Sequence, residues 1–226
     1  MWPPPPAPVT FNASTPNLIN FVFIFSIHSF VIPSANFFLV SHPSFRISEK
    51  FVKSFLFNAL QTCDMVISSG GISMGRYDYV REVLIELGVK EHFWKVAQKP
   101  GKPLFFGTKK NTLIFGLPGN PVSSYIGFMI WVWPILRKLM GSKETKSIKG
   151  ILSEPFPLEK FKYRFLFGQA WMEKGQVKCK PSNKVGSHMV TSALAANCIL
   201  SCNIGDGFLN PGEFIDIHLL PWKTIK

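Results

Sequence analysis

The sequence predicts an α/β domain followed by a small all-β domain. Between residues 64 and 141, short apolar runs alternate with glycine-rich loops and helix-like segments, which is typical of a parallel α/β sheet. After Gly141 the pattern changes to short strands joined by tight turns, without strong helices. This second pattern predicts a small β-barrel or a sandwich that extends to the end of the chain.

The first elements of the α/β part precede and follow a glycine-rich loop. The apolar segment 51–60 indicates the end of a helix, and the unbroken apolar run 65–68 is typical of a strand buried on both faces. Beyond the loop, Asp78 is placed to cap a helix that Gly88 would end. The apolar residues of that helix share one face: Val80, Val83, Leu84 and Leu87. Further strands are predicted at residues 92–97, 104–106 and 112–115.

The clearest helix start in the chain lies at Asn120 and Pro121. Asn120 is a favourable N-cap residue, and Pro121 suits the first helical position because an N–H there would have no helical partner. Pro134 predicts a kink, and Gly141 predicts the end of the helix. The free N–H groups of the first turn therefore point into the preceding PGNP loop, together with the positive end of the helix dipole.

The all-β part contains three clear strand patterns. Residues 162–171 and 177–180 are predicted strands, joined by a turn at residues 173–175. Residues 213–220 alternate between apolar and polar side chains after a Pro211-Gly212 turn. No strong helical periodicity interrupts these strands, which favours a β-barrel or a sandwich.

The first 49 residues differ from the rest of the chain. No Asp, Glu, Lys or Arg occurs before Arg46, and residues 20–40 are apolar enough to suggest a membrane segment. Pro33 and several polar residues interrupt that stretch, however, and the MWPPPPAP start lacks the basic region of a signal peptide. We therefore expect residues 1–49 to be a leader without a folded role, and we do not expect membrane attachment.

The charge balance favours an anionic partner. The 226 residues carry a formal charge of +12, and 46% of them are hydrophobic, which is enough to form a core. A solvated lysine-rich face is the alternative explanation of this charge. No long basic run and no recognition-helix or RNA-binding signature occurs, so nucleic acid is disfavoured.

The cysteines indicate a reducing compartment, which we expect to be the cytoplasm. They lack the paired C-x-x-C spacing of a zinc site and have no companion histidines at ligand spacing. We interpret them as ordinary thiols: Cys63, Cys179, Cys198 and Cys202.

Three glycine-rich loops form the main functional signal. They span residues 68–78, 99–103 and 116–124, and each adjoins a short strand or a helix start. Glycine allows the backbone to approach a ligand closely, and exposed N–H groups at such loops bind anions. We therefore predict an anion-binding site where residues 68–75, 99–102 and 118–123 converge.

Charged residues in two of these loops are candidates for ligand contacts. Lys99 and Lys102 flank a rigid Pro100-Gly101 turn, so that two ammonium groups can reach one oxyanion. The alternative is a surface turn with solvated lysines. Asp78 is placed to hold Mg²⁺ or to orient a ligand hydroxyl, besides its role as a helix cap.

Ser73 suggests a different enzyme, a serine hydrolase. It occupies the centre of a G-x-S-x-G pattern at residues 71–75. A nucleophile elbow requires a strand that runs directly into the serine and a helix that leaves at once. Ser69 and Gly70 intervene here and the helix starts later, so this hypothesis is disfavoured, although His188 and His218 are available as bases.

The ordered motifs resemble those of a known family. CDMVISSGGISMGRYDYV, FWKVAQKPGKPLFFG and GLPGNPVSS resemble the third domain of molybdopterin molybdenumtransferases, the family of bacterial MoeA and the gephyrin E-domain. YRFLFG, GSHMVTSALAANC and NPGEFIDI resemble the C-terminal β-barrel of that family. The resemblance extends from about Phe51 to the end. It implies a MogA-like three-layer molybdopterin-binding domain at residues 50–142 and a β-barrel at residues 143–226.

The resemblance also implies an activity: insertion of molybdate into adenylylated molybdopterin, with Mg²⁺ and release of AMP. By motif, Asp78 would hold the metal, Lys99 and Lys102 would act on molybdate and phosphate, and the full-length family would form homo-oligomers. The residues that would bind the anionic substrates are Gly70, Gly71, Ser73, Gly75, Pro100, Gly101, Pro118, Gly119, Asn120, Pro121, Ser123, Arg164 and Ser187.

The chain departs from the family pattern in two ways. Arg76 stands where the family often has an acidic residue, and the two N-terminal domains are missing, as is the first strand of the third domain. Family active sites form between subunits and use those parts. We therefore expect weak or no transferase activity from this chain alone. A non-catalytic binding module or scaffold of the same fold is the alternative.

Overall fold

The structure, a computed structural model, describes residues 21–25, 37–41, 49–72, 79–142, 146–182, 193, 195–221, 223 and 225. By its internal contacts the chain separates into two compact units. The first comprises Met1–Trp94 with Phe105–Gly116, and the second comprises Lys95–Leu104 with Leu117–Lys226. The predicted boundary between residues 142 and 143 stays a prediction.

The predicted helices and strands occur in the predicted order, together with further strands that were not predicted. The strands are β1 Phe21–Phe25, β2 Phe37–Ser41, β3 Met65–Ser69, β4 Lys90–Trp94, β5 Gln98–Lys99, β6 Phe105–Lys109, β7 Thr112–Leu117, β8 Ile148–Leu152, β9 Phe156–Pro157, β10 Tyr163–Glu173, β11 Gln176–Pro181, β12 Cys198–Cys202, β13 Phe208–Leu209 and β14 Phe214–Leu219. The α-helices are α1 Glu49–Thr62, α2 Val80–Glu86, α3 Pro121–Gly127 and α4 Trp133–Leu139.

The first unit is built on a mixed six-stranded sheet with the order β2-β1-β3-β7-β6-β4. Strand β1 pairs in parallel with β2 and β3. Strand β6, however, is antiparallel to both β4 and β7, so the sheet is mixed, whereas the sequence pattern indicated parallel pairing. For β6 and β7 the reason is the two-residue loop Lys110-Asn111, because so short a connection can join only antiparallel strands.

Strands β1 and β2 lie within the segment that we expected to have no folded role. For these two strands the expectation does not hold, since β1 occupies an interior position of the sheet. Their uncharged, apolar sequences suit a parallel sheet, whose strands are buried on both faces. Among the described residues, no helix is long and apolar enough to cross a membrane.

Helices α1 and α2 pack against the sheet of the first unit. Buried Leu56 of α1 and buried Leu84 of α2 belong to one core cluster with Val66 of β3 and Ile114 of β7. The predicted apolar face of α2 is confirmed. The helix begins at Val80, with Tyr79 at the N-cap position, whereas Asp78 lies outside the described residues. Gly88 follows the helix with a φ of 79°, as a helix-ending glycine should.

The predicted helix after Asn120 is confirmed, but its irregularity is not a simple kink. A π-helical turn, Phe128–Val132, separates α3 from α4, and Pro134 lies in the first turn of α4. A proline lacks the N–H of a regular helix, and its ring collides with the carbonyl four residues earlier. A wider turn just before the proline accommodates both defects. Gly141 ends the helix with a φ of 73°.

The second unit contains a closed β-barrel. Of the two architectures that the sequence left open, a barrel and a sandwich, the barrel is therefore the correct one. Its strands follow the order β11-β8-β14-β12-β10, and the antiparallel β10–β11 pair closes the ring. The predicted turn between β10 and β11 is present, with positive φ at Lys174 and Gly175. Its core contains Leu166, Cys198, Leu200 and Ile217, all buried. The predicted fold class, an α/β domain followed by a β-barrel, is confirmed.

Candidate functional site

In the first unit, the Gly70-Gly71 turn follows the carboxyl end of β3. Both glycines have positive φ, 91° and 75°, a conformation that side chains disfavour. A Cβ on Gly71 would also lie only 2.5 Å from Cγ2 of Val80. Val80 N donates a hydrogen bond to the Gly71 carbonyl at 3.1 Å, which ties the turn to the start of α2.

A tryptophan that the sequence did not single out holds the other side of this turn. Trp94 Nε1 donates to the Ile72 carbonyl at 2.9 Å. The guanidinium of Arg81 lies over the Trp94 ring, 4.1 Å from its centroid, and forms two hydrogen bonds to Glu91. These contacts fix the end of the turn. No periodic pattern marks Trp94, because its function depends on contacts between distant positions.

Ser68 provides a buried polar group beside the turn. Its side chain is 2% exposed, and its Oγ has no hydrogen-bond partner among the described residues. A buried hydroxyl without a partner costs about 1–3 kcal/mol. The hydroxyl lies near the carboxyl end of β3, where it is buried and has no partner among the described residues.

In the second unit, Gln98 shapes the turn that follows it. Its buried amide donates from Nε2 to the carbonyls of Pro100 and Gly101, at 3.2 Å each. Its Oε1 accepts a hydrogen bond from Trp131 Nε1 at 2.8 Å. Gly101 has a φ of 93°, and a Cβ there would lie 2.7 Å from the Gln98 amide nitrogen. The KPGKP turn is thus held from inside the unit by a glutamine that its sequence pattern did not reveal.

Lys99 and Arg164 meet at a single carboxylate. Lys99 Nζ lies 2.5 Å from Oε1 of Glu159, and Arg164 Nη1 lies 3.0 Å from the same oxygen. The two cations are also neighbours in the β5–β10 pairing, where Lys99 stands opposite Arg164. Lys102, the other lysine of the turn, is exposed. The structure thus brings together two of the predicted anion-binding residues, through a glutamate that we did not predict.

The environment favours the charged form of Glu159, whereas burial opposes the charged form of Arg164. The hydrogen bond from Lys99 lowers the pKa of Glu159, and the charges of Lys99, Arg164 and Lys162 act in the same direction against the effect of burial. Burial lowers the pKa of the Arg164 guanidinium, and the Glu159 charge opposes that shift. Arg164 is only 8% exposed, so it depends on an anionic partner.

The PGNP loop has the geometry that the sequence predicted. Asn120 is extended, and its Oδ1 accepts hydrogen bonds from Ser123 N at 3.1 Å and from Ser123 Oγ at 3.2 Å. Pro121 is the first residue of α3. Pro118 is buried and Gly119 is exposed. The start of α3 adjoins the KPGKP turn, since a Cβ on Gly101 would lie 3.5 Å from the Ser123 carbonyl.

The predicted site residues therefore fall into three groups. Gly70 and Gly71 belong to the first unit, whereas the loops that contain Lys99 and Asn120 belong to the second. Four predicted residues lie outside the described part of the chain: Ser73, Gly75, Asp78 and Ser187. Within the described part, no three His, Cys, Asp or Glu side chains are grouped so that they could hold a metal ion.

Comparison with known proteins supplies the family. Residues 47–138 match the family described as probable molybdopterin binding domain, and residues 149–220 match the MoeA C-terminal region, domain IV. A molybdopterin molybdenumtransferase of Haemophilus influenzae is 35% identical over 179 residues, covering 76% of this chain and 44% of the relative. The enzyme of the same name from Bacillus subtilis is 28% identical over 193 residues, covering 80% of this chain and 45% of the relative.

A solved structure supports the same assignment at the level of the fold. The molybdopterin biosynthesis MoeA protein from Pyrococcus horikoshii superposes with a TM-score of 0.66 at 21% identity, covering 89% of this chain and 54% of that one. The fold and the family matches together define a molybdopterin-binding α/β domain followed by a MoeA-type barrel. The chain belongs to the MoeA family of molybdopterin molybdenumtransferases, and it spans less than half of the length of the curated relatives that it matches.

Proposed function

We propose that this chain acts in molybdenum cofactor biosynthesis, where it binds molybdate and adenylylated molybdopterin for insertion of the metal oxyanion with release of AMP. The observation that carries this proposal is the convergence of Lys99 and Arg164 on one oxygen atom of Glu159. Two cations that already hold a carboxylate oxygen are arranged to hold an oxyanion. The names of the relatives support the choice of molybdate as the oxyanion.

The chemistry of the site suits a tetrahedral dianion. Arg164 is fixed in a barrel strand, and Lys99 extends from a turn that Gln98 holds in place. Charge-assisted hydrogen bonds from an ammonium and a guanidinium are among the strongest that a protein offers to an oxyanion. Because both donors are held before the ligand arrives, they can also stabilise negative charge that develops on a leaving phosphate.

The first unit is suited to the pterin nucleotide. The Gly70-Gly71 turn lacks side chains at the carboxyl end of β3, and the Ser68 hydroxyl beside it has no partner among the described residues. Ligands of α/β sheets bind at the carboxyl ends of strands. Mg²⁺ binding remains a prediction that depends on Asp78. A cytoplasmic location and a homo-oligomeric state also remain predictions.

Oxyanion binding is the direct test of this proposal. We expect the Lys99→Ala, Lys102→Ala double variant to bind molybdate more weakly than the wild type by about 1–3 kcal/mol per lost lysine contact in a calorimetric titration. The matched control is Lys53→Ala, Lys149→Ala, which removes two surface lysines that pair with carboxylates elsewhere. Equal molybdate affinity in the double variant and the wild type would contradict the assignment.

The activity of the chain by itself is a separate question. We expect the 226-residue chain to restore molybdoenzyme activity weakly or not at all in a cell that lacks its own molybdenumtransferase. The reason is that catalysis needs every group in its productive position, and the chain spans 44% of a relative that bears the enzyme name. Full rescue would contradict this expectation. A non-catalytic binding module would bind molybdate normally and give no rescue at any expression level.

The hydrolase alternative has its own test. A fluorophosphonate probe reacts covalently with activated serines, and we expect no labelling of Ser73. Labelling that disappears in a Ser73→Ala variant would support a serine hydrolase and count against the transferase.

A further inference from the structure

Glu159 occupies a rigid position between two cations of the second unit. It lies in the connection between β9 and β10, and its carbonyl accepts a hydrogen bond from Gly205 N at 3.1 Å. The preceding residue, Leu158, donates from its N–H to the Gly207 carbonyl at 2.9 Å. The backbone is thus held on both sides, and the side chain reaches Lys99 and Arg164 from a fixed point.

The pairing of strands forces the two cations together. Lys99 and Arg164 stand opposite each other in the parallel β5–β10 register, and like charges at such positions repel. The Oε1 atom of Glu159 accepts hydrogen bonds from both cations, and this relieves the repulsion. An anion is therefore required at this point of the structure, and Glu159 supplies it.

The cations outnumber the carboxylate. Arg164 is 8% exposed, and its Nε has no hydrogen-bond partner among the described residues, so this buried guanidinium retains an unused donor. Lys162 adds a third positive charge that acts on Glu159. One carboxylate thus faces three cations, and a second anion of higher charge would satisfy the cluster better.

We propose that Glu159 is a resident counter-ion that an entering oxyanion displaces from Lys99 and Arg164. This inference rests on the proposed function, which places the oxyanion at these two cations. Glu159 keeps the cations in position while the site is empty, and its negative charge opposes the ligand. The site consequently binds dianions more weakly than its cations alone would allow.

Glu159 contributes to anion affinity in two ways, and together they decide how a Glu159→Gln substitution changes that affinity. As a hydrogen-bond acceptor it positions both cations, and a glutamine retains most of that contribution through its carbonyl oxygen. As a charge it repels a dianion at close range, and a glutamine removes that repulsion entirely. Since the repulsion scales with the charge of the ligand, a dianion gains more from the substitution than a monoanion.

The experiment titrates the full chain and the Glu159→Gln variant with molybdate, and with nitrate as a monoanion, by calorimetry at low ionic strength. We expect the variant to bind molybdate at least about tenfold more tightly, and nitrate with a smaller gain. The matched control is Glu154→Gln. This variant also removes one negative charge, but the carboxylate that is lost pairs with Lys180 and not with Lys99 or Arg164. The control should leave molybdate affinity within about twofold of the wild type.

A second measurement can be made on the wild type by itself, so it is informative even if the variant does not fold. Sulfate stays a dianion in acid solution through the range in which Glu159, whose pKa is lowered chiefly by the hydrogen bond from Lys99, becomes protonated. Protonation of Glu159 should therefore tighten sulfate binding as the pH falls, and the Glu159→Gln variant should lack this dependence. Titration of both proteins with AMP shows whether loss of the Glu159 charge also tightens the binding of a nucleotide phosphate or only that of a free oxyanion.

The outcomes separate the two proposals. Molybdate binding that is equal or weaker in Glu159→Gln, or a gain that is the same for nitrate, would overturn the counter-ion proposal and leave the oxyanion site intact. A wild type whose sulfate affinity does not change with pH would overturn it as well. Failure of wild type and variant alike to bind molybdate or sulfate would overturn the oxyanion site itself, and the inference with it.

Discussion

Gln98 and Trp131 are joined by a hydrogen bond of 2.8 Å from the indole Nε1 to the amide Oε1. This bond fixes which end of the glutamine amide faces the KPGKP turn, because the nitrogen is then free to donate to the carbonyls of Pro100 and Gly101. The geometry of the turn that carries Lys99 therefore depends on an aromatic residue in the π-helical turn after α3.

The first prediction concerns this bond. A Trp131→Phe substitution removes the donor and allows the Gln98 amide to rotate, so we expect the free energy of unfolding to fall by about 1 kcal/mol. Molybdate affinity should fall severalfold because Lys99 is held less firmly. Denaturant unfolding and calorimetry measure the two effects. Trp133→Phe is the matched control, since it trims a neighbouring indole of the apolar cluster and should leave molybdate affinity unchanged.

The second prediction separates backbone strain from steric collision at the Gly70-Gly71 turn. Gly88→Ala places a side chain at a φ of 79° with no atom within 4 Å, and should destabilise the fold by about 1–2 kcal/mol. Gly71→Ala adds the collision with Val80 to a similar φ of 75°, and should cost clearly more. Urea unfolding of both variants measures the difference. Equal losses would mean that Val80 moves aside freely.

The third prediction is a pH dependence of stability. The pKa of Glu159 is lowered in the folded state, chiefly by the hydrogen bond from Lys99, so the ion pair stabilises the fold above the ordinary pKa of 4.5. This contribution is lost as the pH falls through the lowered pKa. We expect Glu159→Gln to be less stable than the wild type at neutral pH. The difference should vanish in acid and shrink in high salt, because Lys99 is half-exposed.

Chemical denaturation across the acid range, at low and at high salt, tests this sign. A stability difference between wild type and Glu159→Gln that grows as the pH falls would contradict it. Glu154→Gln again serves as the control, because its carboxylate is more exposed and pairs only at 3.4 Å.

The fourth prediction concerns the thiols. Burial raises the pKa of Cys179 to about 11 and that of Cys198 to about 12, and both side chains are fully buried. The thiolate is the reactive form, so these two residues should resist alkylation in the folded chain. Cys202 is only partly buried and should be modified first. Mass spectrometry after brief iodoacetamide treatment gives the order, and rapid labelling of Cys198 would contradict it.

Local signals predicted the elements that depend on neighbouring residues. Asn120 and Pro121 marked a helix start correctly, because a cap and a first-turn proline act within one turn of helix. Gly88 and Gly141 marked helix ends for the same reason. Lys99 and Arg164 entered as candidates through family motifs, and the structure brings them together at Glu159.

The remaining features depend on contacts that no local pattern records. Glu159 lies 60 positions from Lys99, and Trp131 lies 33 positions from Gln98, so neither pairing has a spacing signal. Strand β1 was missed because an uncharged apolar segment is equally consistent with a leader, a membrane segment or a buried strand. The antiparallel β6–β7 pair was missed because strand direction follows from the length of the connecting loop rather than from the composition of the strands.

The closure of the barrel has a consequence for how the proposed oxyanion site would admit a ligand. Strand β10 pairs with β12 along Arg164–Gly168 and with β11 from Gly168 onward, so it cannot detach without breaking the ring. In hydrogen exchange, we therefore expect the amides of β10 that are bonded to its neighbours to exchange only when the whole barrel unfolds. Arg164 would then keep its place through every smaller fluctuation, and the side chain of Glu159, which lies outside the barrel strands, would be the group that moves to admit the ligand.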